Sequence, residues 1–289
     1  MIKLARLSMV VAAVGFTGIG ATLAADMAVK ADMAVKADMA VKAPVYKAPP
    51  PSVAYDWTGF YIGAHAGYGW GDPGSHIDWN DTVLAEGPLP PAVPANYSKR
   101  MKGFIGGGQI GFNYQTGNLV LGVEADISYT GIKGDETAGG FFSPPATFAY
   151  SESQNLRWFG TARGRIGFTP ASSWLIYATG GLAFGRVDAE THLTFFDIFG
   201  DPSARYDGAT STTKMGWTLG GGVETALVNN WTAKLEYLYY DLGTVQVLGI
   251  STPVFPSLFT VNDQDVRGHI VRVGVNYRFG APQAVVAKY

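Results

Sequence analysis

The chain has 289 residues, enough for one large or two small domains, and only 15% of them are charged. A formal net charge of −2 gives no sign of a nucleic-acid partner, and the lack of cysteine excludes disulfides and thiolate metal sites. A helical membrane protein needs runs of about 20 apolar residues. The sequence offers a single candidate for such a run, at its N-terminus.

Residues 1–24 have the three-part layout of a secretory signal peptide. Lys3 and Arg6 precede the apolar run Met9–Gly20, and cleavage is predicted after Ala24 or Ala25. A membrane anchor is disfavoured because the run is short and broken by glycines. Residues 25–54 then carry three A-D-M-A-V-K repeats and a Pro-rich stretch, typical of a spacer. These residues serve either as a linker with no further task or as a tether that holds the following domain to the cell wall or a periplasmic protein.

From residue 55 onward, apolar and polar residues alternate with a period of two, which predicts strands with two different faces. Long connections, over about 72–101, 131–153, 187–212 and 241–268, alternate with short turns. An even number of strands with this alternation is typical of bacterial outer-membrane barrels. The predicted strands are Thr58–Gly71, Gly103–Gln115, Leu119–Tyr129, Leu156–Phe168, Trp174–Gly185, Lys214–Leu227, Trp231–Tyr240 and Val271–Phe279.

The placement of charge favours a membrane barrel over a soluble one. A basic side chain at the lipid midplane costs about 2–4 kcal/mol, so charged residues should face the lumen. A lipocalin-like barrel would instead bury its apolar face inside. Charged residues within the strands lie opposite the apolar stripe, at Glu124, Asp126, Arg157, Arg163, Arg165, Lys214, Glu224, Lys234, Glu236, Arg272 and Arg278.

Aromatic residues fall at both ends of the strands. Two such bands separated by aliphatic residues and glycines match the girdles at the two membrane interfaces. The band at the short turns is Tyr114, Phe168, Trp174, Trp231, Tyr277 and Phe279. The band at the long connections is Tyr68, Trp70, Phe104, Tyr129, Trp158, Phe184, Trp217 and Tyr239.

The two ends of this domain carry a resemblance to a known family. W-T-G-F-Y-I-G over 57–63 and V-G-V-N-Y-R-F over 273–279 resemble the alphaproteobacterial small outer-membrane β-barrel proteins. These are often labelled porin family proteins and are related to the OmpA membrane domain. The resemblance covers about residues 55–280. It implies insertion by the barrel-assembly machinery through a closing strand, with Tyr277 and Phe279 as the assembly signal, although Gly280–Tyr289 extends beyond Phe279.

An eight-stranded barrel is just wide enough for side chains to fill, and buried charges must be paired. We therefore expect a lumen charge network, which either holds the barrel shut or lines a narrow, anion-favouring pore. Glu236 and Glu224 are the expected partners of Arg272 and Arg278. The network comprises Glu124, Asp126, Arg157, Arg163, Arg165, Glu224, Lys234, Glu236, Arg272 and Arg278.

Other motifs indicate little chemistry. Gly106–Gly111 matches G-x-G-x-x-G but lies within a strand, so a nucleotide site is not expected. His76 with Asp78, or His269 with Asp265 and Ser251, could be imagined as parts of a hydrolase, yet their spacing supports no positioned nucleophile. Apolar stretches at 193–199, 245–250 and 254–261 either extend the barrel as packed hairpins or recognise an external ligand.

The sequence thus predicts an all-β fold, an eight-stranded antiparallel up-and-down transmembrane β-barrel over residues 55–280. Short periplasmic turns and long extracellular loops are expected, behind a periplasmic linker at 25–54 and before a tail at 281–289. The expected role is envelope integrity and surface display in a Gram-negative outer membrane. The alternatives are a small diffusion channel and, less favoured, a lipid or peptide hydrolase. We expect a monomer in lipid and lipopolysaccharide, without cofactor or metal, and with a possible extracellular ligand.

Overall fold

The computed structural model describes residues 55–81, 94–252 and 258–280. The predicted signal peptide, the linker and the C-terminal tail lie outside these residues. Within the described ranges, no helix is long and apolar enough to cross a membrane.

Within the described residues, ten strands form one antiparallel sheet. In chain order they are β1 Gly59–Gly71, β2 Gly74–Asp81, β3 Asn96–Ser98, β4 Met101–Thr116, β5 Leu119–Ser143, β6 Ala146–Ala171, β7 Trp174–Phe196, β8 Pro202–Ala226, β9 Trp231–Thr252 and β10 Leu258–Arg278.

Eight of these strands close into a ring. From β4 to β10 each strand pairs with the next, β1 pairs with β4, and β10 returns to pair with β1. At this seam Tyr61 lies opposite Arg278, and Trp70 lies opposite His269. The predicted eight-stranded antiparallel barrel is therefore confirmed.

The predicted long connections are mostly strand rather than loop. The hairpins β5–β6, β7–β8 and β9–β10 rise well beyond the predicted strand ends, and β8 pairs again with β9 near their tips, with Tyr206 opposite Ser251. In the first connection, β2 pairs with β10 and β3 with β2. The alternation of apolar and polar residues in the sequence breaks at the start of these hairpins, because irregularities between Tyr129 and Ile132, and between Leu156 and Trp158, shift the register.

The opposite end of the barrel has tight turns that need unusual backbone conformations. Gly117 has φ of 59°, and Asn229 and Asn230 have φ of 53° and 69°. Glycine and asparagine tolerate this left-handed region better than other residues, which is why these residues occur in such turns. We call this the short-turn end and the other the hairpin end.

The outer wall is apolar between the two predicted aromatic bands. Phe104 is 78% exposed and Tyr129 is 76% exposed at the hairpin end, while Phe168 and Trp174 are exposed at the short-turn end. Ile110, between the bands, is exposed as well. Most of the alternate residues point inward and are buried, and the charged and polar side chains of the strands are among them.

Candidate functional site

A charge-balanced cluster occupies the barrel interior between the two aromatic bands. Its side chains belong to five strands, β5, β6, β8, β9 and β10, and each is at most 3% exposed. We call it the charge network. Its four carboxylates are Glu124, Asp126, Glu224 and Glu236, and its four cations are Arg163, Arg165, Lys234 and Arg272.

Arg163 lies at the centre of this network. Its guanidinium donates to Glu124 Oε1 at 2.5 Å, to Asp126 Oδ2 at 3.1 Å and to Glu236 Oε1 at 3.1 Å. Only Glu124 is its direct neighbour in the β5–β6 register. The planar guanidinium presents five donors, which lets one side chain bind three carboxylates from two different strands.

Two more cations connect opposite sides of the wall. Arg272 donates to Glu236, its register neighbour, at 2.7 Å, and to Asp126 on β5 at 2.9 Å. Lys234 Nζ donates to both carboxylate oxygens of Glu124 at 2.9 Å. Because these contacts join β9 and β10 to β5, the network cross-links the ring through its interior.

A third connection lies nearer the short-turn end. Arg165 Nη2 donates to Glu224 Oε2 at 2.7 Å, from β6 to β8. The same carboxylate accepts from Asn276 at 2.8 Å and from Thr232 at 2.5 Å. Glu224 was an expected partner of Arg278, but its ion pair is with Arg165 instead.

Neutral residues that the sequence analysis did not single out complete the network. Tyr61 donates to Glu124 at 2.7 Å, and Tyr177 donates to Glu236 at 2.9 Å. His65 lies between Gln109 Oε1, at 3.0 Å, and Ser128 Oγ, at 2.7 Å. Tyr61 and Tyr177 could have been suspected from their place on the inward parity, where few other aromatic residues accompany the charges.

Arg157 does not belong to the network, and its predicted position is wrong. The register irregularity between Leu156 and Trp158 reverses the parity there, so Leu156 points inward and is fully buried. The Arg157 side chain is 54% exposed and pairs with Asp188 at 2.5 Å.

Arg278 lies apart from the network, at the short-turn mouth. Its Nε donates to the Tyr55 hydroxyl at 3.1 Å, and its Nη1 donates to the Thr58 carbonyl at 2.8 Å. Tyr55 in turn packs on Trp57, whose indole Nε1 donates to the Ser172 carbonyl at 3.2 Å. The last strand therefore holds the segment before β1 in place, and Trp57 lies buried at this mouth.

An apolar layer fills the interior on the other side of the charge network, toward the hairpin end. Its residues come from strands β4, β5, β6, β7, β9 and β10, and each is almost fully buried. The period-two alternation predicts a polar inward face, so the apolar layer does not follow from the sequence pattern. The layer consists of Met101, Ile105, Ile132, Leu156, Phe159, Ala183, Val187, Ala189, Leu238, Tyr240, Leu242, Val245, Val247, Val266 and Ile270.

A second polar cluster lies inside the hairpins, outside the span between the aromatic bands. Lys99 Nζ donates to Glu152 Oε1 at 3.1 Å and to Gln264 Oε1 at 2.8 Å. Tyr150 and Ser75 also donate to Glu152, at 2.5 and 3.0 Å. Burial opposes ionisation of Glu152, but the positive charge of Lys99 and these hydrogen bonds keep its pKa below the ordinary value. Burial lowers the pKa of Lys99.

The hairpins end in a second apolar group above this polar cluster. Ile77, Phe148 and Leu193 are buried there together with Phe195 and Tyr206. Because these residues come from β2, β6, β7 and β8, the hairpins share one core and support each other. Leu193 and Phe195 thus pack inside the hairpins, as one interpretation of the apolar stretch at 193–199 predicts, whereas Ile198 and Phe199 of the same stretch are exposed.

The remaining histidines have local partners. His76 contacts Asn96 and Asp78, and His192 lies 2.6 Å from Asp207. His269 accepts from or donates to the Tyr237 hydroxyl at 2.7 Å. In the part of the chain that the structure describes, no cluster of three or more acidic or histidine side chains could hold a metal ion.

Comparison with known proteins agrees with this architecture. The family profile described as outer membrane protein beta-barrel domain matches residues 37–279. The 31 kDa outer-membrane immunogenic protein of Brucella melitensis is 37% identical over 233 residues, 79% of this chain and 86% of the relative. The 22 kDa outer membrane protein of Rhizobium leguminosarum is 32% identical over 194 residues, 66% of this chain and 67% of the relative.

Among solved structures, OprG from Pseudomonas aeruginosa aligns with a TM-score of 0.44 at 15% identity, over 79% of this chain and all of that one. The family profile and the Brucella relative carry the assignment. The chain belongs to the family of outer-membrane protein β-barrel domains, and it resides in the outer membrane.

Proposed function

We propose that this protein is a closed structural barrel, which contributes to the integrity of the outer membrane and displays its hairpins outside. One observation carries the proposal: buried side chains fill the interior in successive layers. Trp57 lies at the short-turn mouth, the charge network follows, and then comes the apolar layer around Phe159 and Tyr240. A water-filled path would have to cross both charged and apolar packing.

The rival function, a small anion-selective pore, depended on an excess of basic residues in the lumen. The described interior instead brings four cations to four carboxylates, because Arg157 points outward and Arg278 lies at the mouth. A balanced, mutually paired set of charges offers no free site for a passing anion. These pairs support the closed barrel.

The enzymatic alternative has little support from the geometry. Within the described residues, the close contact between a histidine ring and a serine hydroxyl is that of His65 with Ser128, and both are buried in the barrel interior. The other ring nitrogen of His65 faces Gln109 rather than a carboxylate. A hydrolytic triad needs an accessible nucleophile and an acidic residue to orient the base. We therefore propose that the protein is not an enzyme.

Conductance in planar lipid bilayers tests the closed barrel. The refolded full-length protein should give no stable openings, and an established porin reconstituted in the same way should conduct. Frequent, long-lived openings of the wild-type protein would overturn the proposal. In cells, deletion of the gene should increase sensitivity to detergent, and the wild-type gene should restore resistance.

Surface display is the second part of the proposal. The hairpins extend the barrel wall and share a core, and their tips expose Phe141, Ile198 and Phe199. Phe199 is 83% exposed, and a large apolar side chain presented in this way can contact a partner. Replacing Ile198 and Phe199 by serine should leave the barrel folded. It should lower the binding of the protein to any extracellular ligand that uses this tip.

Assembly is the third part. We propose that the barrel-assembly machinery recognises Tyr277 and Phe279. Both residues belong to the closing-strand motif that resembles the family. Phe279 is exposed on the outer wall, and Tyr277 packs against it with ring centroids 5.3 Å apart. The pair is therefore accessible at the end of the strand that forms the seam with β1.

A further inference from the structure

A row of basic side chains crosses the outer face of the barrel just beyond the aromatic band at the hairpin end. Lys102, Lys133, Arg157 and Arg186 come from four consecutive strands, β4 to β7, and all four are exposed. We call them the basic row. They do not contribute to the proposed closed lumen, since they lie on the outer face of the barrel wall.

Strand pairing places these residues at similar heights. Lys102 is the register partner of Lys133 on the neighbouring strand. Arg186 pairs with Trp158, the residue that follows Arg157. Since Trp158 belongs to the aromatic band, the row borders the apolar wall directly.

The row has more positive charge than the protein itself neutralises. Like charges placed directly opposite each other on paired strands destabilise a sheet, and Lys102 and Lys133 have this arrangement. Neither lysine forms an ion pair with any described residue, whereas Arg157 and Arg186 share one carboxylate, Asp188, at 2.5 and 3.8 Å. Four cations therefore face a single carboxylate in ion-pair contact.

The other side of the barrel differs. On β8 and β10 the exposed arginines each have their own acid: Arg205 pairs with Asp207 at 2.7 Å, and Arg267 pairs with Asp265 at 3.4 Å. The exposed arginines on that side are thus each paired with an acid, whereas the basic row is not neutralised, which indicates a localised anionic ligand at the row rather than a general attraction to the membrane surface.

We propose that the basic row binds the phosphate groups of a phosphorylated glycolipid of the outer leaflet, of the lipid A type. Such a lipid would lay its acyl chains on the apolar wall below the row, along Phe104 and Ile127, both of which are exposed. Its phosphates would then reach the lysines and arginines at the edge of the aromatic band. Arginine favours phosphate through paired, charge-assisted hydrogen bonds, and lysine adds a point charge.

The test uses the full-length protein refolded in dodecyl maltoside and titrated with diphosphoryl lipid A, with binding followed by native mass spectrometry. The variant Lys102→Gln/Lys133→Gln removes the unpaired half of the row. The control Arg205→Gln/Arg267→Gln removes the same charge from exposed arginines on the other side. A heat-dependent shift in gel mobility checks that each protein is folded.

We expect the lysine variant to bind diphosphoryl lipid A at least about tenfold more weakly than wild type, and the control to stay within about twofold. Removal of the phosphates should weaken binding as much as removal of the lysines. The affinity of wild type for dephosphorylated lipid A should therefore not exceed the affinity of the lysine variant for diphosphoryl lipid A. If the lysine variant does not fold, Arg157→Gln/Arg186→Gln carries the same expectation.

Three results would each overturn the proposal. The first is an equal loss in the row variant and the control, and the second is binding that does not depend on the lipid phosphates. The third is binding of heparin, a soluble polyanion without acyl chains, as tightly as lipid A and with the same dependence on Lys102 and Lys133. These outcomes are independent of conductance, so the row and the closed lumen are tested separately.

Discussion

Replacing Arg163 by glutamine should destabilise the folded barrel by several kcal/mol. The guanidinium is fully buried and lies within 2.5 to 3.1 Å of oxygens of Glu124, Asp126 and Glu236. Glutamine removes the charge, so four buried carboxylates then share three cations. Breaking one buried pair by removing one partner costs about 3–5 kcal/mol. Because three carboxylates lose a donor here, we expect a loss of about 5 kcal/mol.

The measurement is urea-induced unfolding of the refolded protein in lipid vesicles, followed by tryptophan fluorescence. Arg157→Gln is the matched control, since Arg157 is an exposed arginine on the same strand, paired with Asp188. Exposed ion pairs contribute at most about 1 kcal/mol. If Arg163→Gln costs no more than Arg157→Gln, the charge network does not stabilise the barrel as argued.

A double variant separates lost charge from lost packing. Arg163→Gln/Glu236→Gln restores the balance at three cations and three carboxylates. If the uncompensated charge causes most of the loss, the double variant should be more stable than Arg163→Gln alone by at least about 1 kcal/mol. Additive losses from the two substitutions would refute that cause.

Three further predictions follow from other parts of the molecule. Gly63→Ala should lower the free energy of unfolding by about 1–3 kcal/mol, because a Cβ there would lie 2.4 Å from a backbone oxygen. Gly164→Ala, where the nearest atom lies at 4.0 Å, should change it by less than about 0.5 kcal/mol, and equal urea midpoints would contradict the packing argument. The stabilisation by Glu152 should be complete above the ordinary glutamate pKa of about 4.3, and lost as the pH falls through the lower pKa in the folded protein. Urea midpoints should therefore fall more steeply from pH 7 to pH 3 for wild type than for Glu152→Gln, and parallel curves would count against this role. Phe279→Ala should reduce the fraction of heat-modifiable barrel in cells more than Phe168→Ala, an equally exposed aromatic, and equal yields would exclude Phe279 from the assembly signal.

The ring of eight strands could be predicted because lipid imposes one rule on the whole outer wall. An outward charge is costly throughout the membrane span, so the parity of each strand shows in its sequence. The rule weakens beyond the aromatic bands, where both faces meet water or protein. There the irregularities near Tyr129 and Leu156 shift the register, and the alternation that identified the strands no longer continues in phase.

The members of the charge network could be predicted better than their pairing. Inward parity selects Glu124, Arg163 and Arg272 correctly, because each lies well inside the span between the bands. It cannot say which side chain reaches across the interior, as Lys234 does to Glu124. That choice depends on side-chain length and on the curvature of the wall, neither of which leaves a periodic signal. The prediction that Arg157 points inward was wrong because this residue lies at the register irregularity.

The apolar layer explains why the barrel can be longer than the membrane requires. In the hairpins, inward residues such as Leu156 and Val187 pack against one another as in a soluble core, so the strands gain stability from inside after the lipid ends. The basic row lies at this transition, on the outer face of strands whose inner face is already packed. Its charges therefore do not compromise the core, and the wall remains free to hold an ordered anionic lipid at the boundary of the membrane.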